Sequence, residues 1–230
     1  MPQHQEKHVA SSDTLKDLVI GMSDGLTVPF ALAAGLSGAV TSTGIIVTAG
    51  VAEIAAGAIA MALGGYLAAK TEAEHYQSEY KRETLEVEQV PHIEAAEVAD
   101  ILKEFGVAEE QVPVVVNAMQ TQPKKWVDFM MRFELGLERP DPRRMVFSPL
   151  TIGLAYVFGG LIPLLPYIFI FSVHQALLTS MTVTLLALLV FGAVKGFFTG
   201  RKILRSGVQT MLIGAVAAAC AFGIAKWVSH

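Results

Sequence analysis

The chain has 230 residues, of which 53% are hydrophobic and 17% are charged, and its formal net charge is -4. The apolar share exceeds the roughly 45–50% that is typical of soluble domains, and the mild negative charge argues against a nucleic-acid partner. The single cysteine, Cys220, excludes both an intrachain disulfide and a cage of thiolate metal ligands. This apolar excess is gathered into long blocks along the chain, which predict an all-α, polytopic membrane protein.

Five apolar segments have the length of a transmembrane helix. An α-helix rises 1.5 Å per residue, so about 20 apolar residues are needed to cross the hydrocarbon core of a bilayer. The links between these segments are short, except for the link between the second and the third. The predicted spans are residues 19–40, 45–67, 147–171, 177–198 and 208–228.

The long link is a polar, charged stretch that predicts a small helical domain outside the bilayer. Neither proline nor glycine occurs between Tyr66 and Pro91, so the helix of the second span is predicted to continue beyond the membrane. Further helices are predicted at 92–105, 109–119 and 124–137. The predicted organisation is spans 1 and 2 with the N-terminal segment (1–70), the polar domain (71–146), and spans 3 to 5 (147–230).

The placement of lysine and arginine predicts the orientation of these spans. The short turns at 41–44 and 172–176 contain neither residue, whereas the polar domain is rich in both. The last short link also carries Arg201, Lys202 and Arg205. By the positive-inside rule, the N-terminus and the polar domain are predicted to be cytosolic, and the C-terminus is predicted to face the other compartment.

Two carboxylates lie within the predicted spans, Asp24 in the first and Glu53 in the second. An ionised carboxylate at the centre of a membrane helix costs about 2.5–3.5 kcal/mol, so such residues usually face a water-filled path or a cation. Met22 and Met61 add soft thioether sulfurs nearby. The alternative is that Asp24 is an interfacial residue at a helix end and that Met61 packs against lipid.

Glutamates are concentrated in the polar domain, several of them three or four residues apart and so on one face of a helix. Clustered carboxylates repel one another unless a cation lies between them. Oxygen ligands combined with thioethers favour a borderline metal such as iron(II). The alternatives are a solvated acidic face and methionines that only fill the core. The candidate ligands are Glu79, Glu83, Glu86, Glu94, Glu97, Met130, Met131 and Glu134.

The first span resembles the first transmembrane helix of the vacuolar iron transporter family, through residues 22–38 (MSDGLTVPFALAAGLSG). Glu53, followed by AMALGGYLA from Ala60, is similar to the second helix of that family. The glutamate-rich domain ahead of three further spans also fits. The resemblance covers essentially the whole chain and extends to the cytosolic domain, which some members of the family lack.

The resemblance implies a homodimeric Fe2+/H+ antiporter of the vacuole membrane, with the metal-binding domain cytosolic and the C-terminus lumenal. It implies no permanent cofactor, since Fe2+ is the substrate and Mn2+, Co2+, Ni2+ or Zn2+ are further candidate substrates. The implied partners are these ions, protons and membrane lipid. Matched by position, Asp24, Glu53 and Met61 would line the membrane pathway, and the implied ligands in the cytosolic domain are Glu83, Glu86, Glu94, Glu97, Met130, Met131 and Glu134.

Two other functions compete with a secondary active transporter. A membrane-tethered carboxylate di-iron ferroxidase would need two Glu-x-x-His pairs on a four-helix bundle. The polar domain supplies one such pair, Glu72 with His75, and one further histidine, His92. A membrane scaffold that senses metal through the polar domain is the other alternative. Neither gives Glu53 a role, so the sequence favours a transporter over an enzyme.

Overall fold

The computed structural model describes residues 12–228, which form eight α-helices and no β-strand. Five of these helices, α1, α2, α6, α7 and α8, are long and apolar enough to cross a membrane, as the sequence predicted. Residues 1–11, which include most of the predicted N-terminal segment, and residues 229–230 lie outside the described part. The helices are α1 Ser12–Ser37, α2 Thr43–Gln89, α3 Pro91–Glu104, α4 Val112–Gln120, α5 Pro123–Phe133, α6 Arg144–Phe169, α7 Val173–Phe198 and α8 Ile203–Val228.

The chain divides into two compact units. The first, here called the membrane-helix unit, consists of Met1–Tyr66 and Met145–His230; the second, the polar unit, consists of Leu67–Arg144. The helix α2 contributes to both, and its 47 residues give it a length of about 70 Å, more than twice the hydrocarbon thickness of a bilayer. Only its apolar first half can therefore span a membrane, and the residues after Tyr66 belong to the polar unit.

Small residues bring the helices of the membrane-helix unit into close contact. A Cβ added at Gly21 or Gly25 of α1 would overlap backbone atoms of α6, and one added at Gly192 or Gly196 of α7 would meet side chains of α8. Glycines four residues apart are also typical of dimer faces between membrane helices, but these glycines are in contact with helices of the same chain. Gly200, the last of that series, lies in the turn after α7 with a φ of 66°. The homodimer stays a prediction.

Hydrogen bonds from hydroxyl groups connect α1, α6 and α7 of the membrane-helix unit. The hydroxyls of Ser37 on α1 and Tyr167 on α6 are 2.9 Å apart, and the Ser180 hydroxyl on α7 donates to the carbonyl of Pro163 at 2.7 Å. Although Pro29 removes a backbone donor from α1, the helix continues through it without interruption. The hydroxyls of Ser37, Tyr167 and Ser180 are thus paired between helices rather than left facing lipid.

The polar unit has its own apolar core, formed between α2, α3 and α5. Its α3 ends at Glu104, one residue before the predicted end, and the positive φ of 81° at Gly106 lets the Val107 N–H turn back and donate to the carbonyl of Leu102. The core residues are Val87, Val98, Trp126, Val127, Met130 and Met131.

Two predicted helices of the polar unit have different limits in the structure. The helix predicted at 124–137 ends at Phe133, because Gly136 takes a φ of 64° and the Leu137 N–H turns back to the carbonyl of Met131 at 2.7 Å. The helix predicted at 109–119 begins only at Val112, after a turn in which the Gln111 N–H donates to Ala108. Glu134 is therefore the cap residue of α5 and not part of its last turn.

Candidate transport and metal-binding sites

Glu53 is partly buried on α2 and has one paired and one unpaired oxygen. Its Oε1 accepts a hydrogen bond from the hydroxyl of Tyr156 on α6. Its Oε2 is buried and has no hydrogen-bond partner among the described residues. An unpaired buried carboxylate oxygen is destabilising unless a proton or a cation occupies it. The arrangement therefore leaves one oxygen of Glu53 available for either ion.

Glycines place Tyr156 beside the two acidic helices. A Cβ added at Gly57, one turn after Glu53, would lie only 2.5 Å from the Tyr156 hydroxyl, and one at Gly25, next to Asp24, would overlap the backbone of Tyr156. Tyr156 also interacts electrostatically with both carboxylates. Sequence reasoning missed this residue, although a tyrosine in a membrane span needs a partner for its hydroxyl and could have been singled out on that ground.

The other predicted pathway residues lie in the same unit as Glu53. Asp24, Met22 and Met61 are each partly buried. Among the described residues, neither Asp24 nor Glu53 belongs to a convergent group of three acidic, cysteine or histidine side chains. A role for these three residues in a pathway stays a prediction.

In the polar unit, two convergent groups of glutamates share one member. Glu83, Glu86 and Glu94 each place one oxygen within 4.8 Å of the others, and so do Glu94, Glu97 and Glu134. Glu94 belongs to both groups. Carboxylate oxygens at this spacing are suited to hold a divalent cation between them.

The groups form because the chain reverses sharply after α2. The helix ends at Gln89, and Pro91 starts α3 immediately, where its missing N–H is not needed. Glu94 on α3 is thereby folded back against Glu83 on α2. Glu134 reaches the second group from the end of α5.

Glu79 is the one predicted glutamate ligand that the structure leaves out of both groups. It lies one turn before Glu83, and its Oε2 is 2.8 Å from a guanidinium nitrogen of Arg82. Arg82 also lies 3.6 Å from Glu86. Among the described residues, Glu79 is thus paired with a cation and lies outside both groups, and its role as a ligand stays a prediction.

Glu83 and Glu94 are almost completely buried, with relative exposures of 1% and 4%. Burial, the mutual hydrogen bond with Glu94 and the charges of nearby carboxylates raise the pKa of Glu83 to about 8. Burial also raises the pKa of Glu94. One oxygen of each, Oε1 of Glu83 and Oε2 of Glu94, lacks a hydrogen-bond partner among the described residues. The pair is therefore arranged to hold a shared proton.

Glu134 is more exposed than Glu83 and Glu94. Partial burial raises its pKa most, and the negative charges of Glu97, Glu94 and Glu86 raise it further. Met130 and Met131 are buried in the apolar core of the polar unit. Packing alone accounts for their position. Binding of metal by their sulfurs stays a prediction.

These features define a polytopic membrane protein with one unpaired carboxylate oxygen in a membrane helix and convergent acidic groups in a polar unit. The chain belongs to the VIT family, whose sequence profile matches residues 15–226. It is 58% identical to a vacuolar iron transporter of Centaurea cyanus over 97% of this chain and 91% of that protein. It is 56% identical to vacuolar iron transporter 1 of Arabidopsis thaliana over 100% and 92% of the two chains. It is 39% identical to protein CCC1 of Saccharomyces cerevisiae over 92% and 68%.

Proposed function

We propose that this chain transports ferrous iron from the cytosol into a vacuole, in exchange for protons. The plant relatives that share more than half of its residues over almost its whole length are named vacuolar iron transporters. The observation that carries the proposal is the buried, unpaired Oε2 of Glu53 in a membrane-spanning helix. A carboxylate oxygen in that position serves a transporter directly and has no role in an enzyme or sensor whose chemistry lies in the polar unit.

Exchange follows from the two ions that one carboxylate can accept. Glu53 binds either Fe2+ or a proton, because a protonated carboxyl is a poor metal ligand. Fe2+ arriving from the cytosol occupies Oε2, and a proton from the acidic far side displaces it. Asp24, Met22 and Met61 provide further oxygen and sulfur ligands along the path.

The polar unit collects substrate iron on the cytosolic side. The two groups that share Glu94 give the cation carboxylate ligands from three helices, α2, α3 and the end of α5. Oxygen ligands also accommodate Mn2+, and borderline ions such as Co2+, Ni2+ and Zn2+ are further candidate substrates. The acidic groups raise the local concentration of cations by electrostatic attraction.

The proposal also concerns the location, oligomeric state and orientation of the protein. It places the protein in the vacuole membrane as a multi-pass homodimer, with the N-terminus and the polar unit in the cytosol and the C-terminus in the lumen. The distribution of lysine and arginine over the links supports this orientation.

A ferroxidase is less compatible with these residues. Both convergent groups of the described chain consist of glutamates alone, whereas a ferritin-like di-iron site also needs two histidines. His75, the histidine of the single Glu-x-x-His pair, lies 4.0 Å from Glu79, outside those groups.

The experiment is Fe2+ uptake into proteoliposomes under an imposed proton gradient. The unaltered chain is compared with Glu53→Ala and with Glu104→Ala, an exposed glutamate of α3. Uptake that needs the gradient and disappears only in Glu53→Ala is the expected result. Full uptake by Glu53→Ala would remove Glu53 from the mechanism. If the folded, unaltered chain shows no uptake, the transporter proposal is wrong and a sensor or enzyme takes its place.

A further inference from the structure

The Tyr156 hydroxyl is the only hydrogen-bond donor to Glu53 among the hydrogen bonds of the described residues. Tyr156 is 2% exposed, and its position is fixed on two sides, by the backbone at Gly25 on α1 and by Gly57 on α2. The side chain of Tyr156 is therefore closely packed at the point where its hydroxyl meets Glu53. Such a fixed donor determines which way the carboxylate of Glu53 turns.

We propose that Tyr156 is a positioning residue that engages Oε1 of Glu53 and thereby keeps Oε2 turned toward the transported cation. The inference rests on the proposed role of Glu53 as the membrane carboxylate that binds Fe2+. Donors that orient a metal-binding carboxylate without touching the metal typically change metal affinity about 10–100-fold when they are removed. Tyr156 has this relation to Glu53, because its hydroxyl bonds the oxygen opposite to the unpaired one.

A second tyrosine of α6 shows what a purely structural hydroxyl looks like in this helix. Tyr167 is also 2% exposed, and its hydroxyl lies 2.9 Å from that of Ser37, a neutral partner. Both tyrosines lose one partly buried hydrogen bond when they are replaced by phenylalanine. Tyr167→Phe therefore controls for the loss of a buried hydroxyl that is not paired with an acid.

The central test compares the concentration dependence of Fe2+ uptake for Tyr156→Phe and Tyr167→Phe in the same proteoliposomes. Tyr156→Phe is expected to raise KM for Fe2+ about 10–100-fold, with a smaller effect on the maximal rate. Tyr167→Phe is expected to leave KM unchanged. An unchanged KM in Tyr156→Phe, or an equal rise in both variants, would overturn the positioning role.

A second pair of variants moves the hydroxyl without deleting it. The Cβ of Gly57→Ala would lie 2.5 Å from the Tyr156 hydroxyl, whereas that of Gly64→Ala on the same helix would meet no atom within 4 Å. Gly57→Ala should therefore raise KM in the same direction as Tyr156→Phe, and Gly64→Ala should not. This pair also decides the question if Tyr156→Phe fails to fold; an unchanged KM in folded Gly57→Ala contradicts the proposal.

Coupling to Glu53 is tested with Glu53→Asp, whose shorter side chain withdraws the carboxylate from the tyrosine. If Tyr156 acts through Glu53, Tyr156→Phe raises KM far less in the Glu53→Asp background than in the unaltered chain. If Tyr156→Phe raises KM by the same factor in both backgrounds, Tyr156 acts independently of Glu53, and the inference is refuted. The two proposals fail differently: absent uptake by the unaltered chain refutes transport itself, whereas normal uptake that is insensitive to Tyr156→Phe refutes only the positioning role.

Discussion

Replacing Glu83 by glutamine is expected to stabilise the metal-free polar unit at alkaline pH while weakening its hold on metal. Glu83 is buried, and its Oε1 is unpaired in the described structure. Glutamine keeps nearly the same shape, and its amide N–H donates to Glu94 in place of the proton that the two carboxyls share. The substitution therefore removes a buried charge without opening a cavity.

The direction in which pH changes the unfolding free energy depends on the pKa of Glu83, which is about 8 in the folded chain, whereas its ordinary value is 4.5. A raised pKa means that the folded state binds the proton more tightly than the unfolded state does. The stability contributed by this proton is therefore complete below pH 4.5 and is lost as the pH rises through 8. Because the neutral glutamine does not titrate, Glu83→Gln should flatten this decline.

Two estimates bound the increase in unfolding free energy that Glu83→Gln causes at alkaline pH. At about 1.4 kcal/mol per pKa unit, the shift from 4.5 to about 8 sets an upper bound of roughly 5 kcal/mol. Glu83 and Glu94 share one proton, so the cost of a single unpaired buried polar group, about 1–3 kcal/mol, is the expected magnitude. Metal-free Glu83→Gln should exceed the unaltered chain in unfolding free energy by this amount at pH 8.5.

Tryptophan fluorescence gives the measurement, because Trp126 is buried in the core of the polar unit and the second tryptophan, Trp227, is exposed. A Trp227→Phe background makes Trp126 the only tryptophan. Urea unfolding of the full chain in detergent with a chelator, at pH 5.5 and pH 8.5, yields both free energies. Glu104→Gln serves as the exposed control. Equal pH dependence in Glu83→Gln and the unaltered chain would refute the reasoning.

The remaining predictions concern packing and metal binding. Gly25→Ala should reduce the yield of folded protein in size-exclusion chromatography, because its Cβ overlaps the backbone of Tyr156, whereas Gly64→Ala should not. Mn2+ affinity, measured by calorimetry between pH 8 and pH 6, should fall about tenfold per pH unit for each proton that metal releases from the glutamate groups; a flat profile would contradict the shared proton. Replacing Met130 and Met131 by leucine should change the unfolding free energy by less than about 1.5 kcal/mol. It should weaken Co2+ binding more than Mg2+ binding if the sulfurs are ligands, and equal retention of both ions would assign the two residues to packing.

Features that depend on local sequence were predictable. The five spans follow from apolar length, and the continuation of α2 to Gln89 follows from the absence of glycine and proline after Tyr66. The approach of Glu94 to Glu83 follows from the helix break at Pro91. In each case the determining residues lie within a few turns of one another.

Features that depend on contacts between distant segments were not predictable in the same way. The pairing of Tyr156 with Glu53 joins residues 103 positions apart and requires the packing of α6 on α2. Arg82 could have neutralised Glu79 at i−3 or Glu86 at i+4, and only the side-chain geometry shows that it lies closer to Glu79. The glycine spacings of α1 and α7 suit a partner chain as well as a neighbouring helix, so sequence alone could not assign them to packing within the chain.

The two candidate sites share one physical signature, although one lies in a membrane helix and the other in the polar unit. Among the described residues, the carboxylate oxygens that are buried without a hydrogen-bond partner belong to Glu53, Glu83 and Glu94. Each such oxygen destabilises the metal-free fold, and a neutral side chain of similar shape would avoid that cost. A cation bound between these oxygens, or a proton in its absence, compensates for the cost in both places. We propose this exchange of a metal ion for a proton at Glu53, and the raised pKa of Glu83 indicates that a buried carboxyl of the polar unit likewise retains a proton.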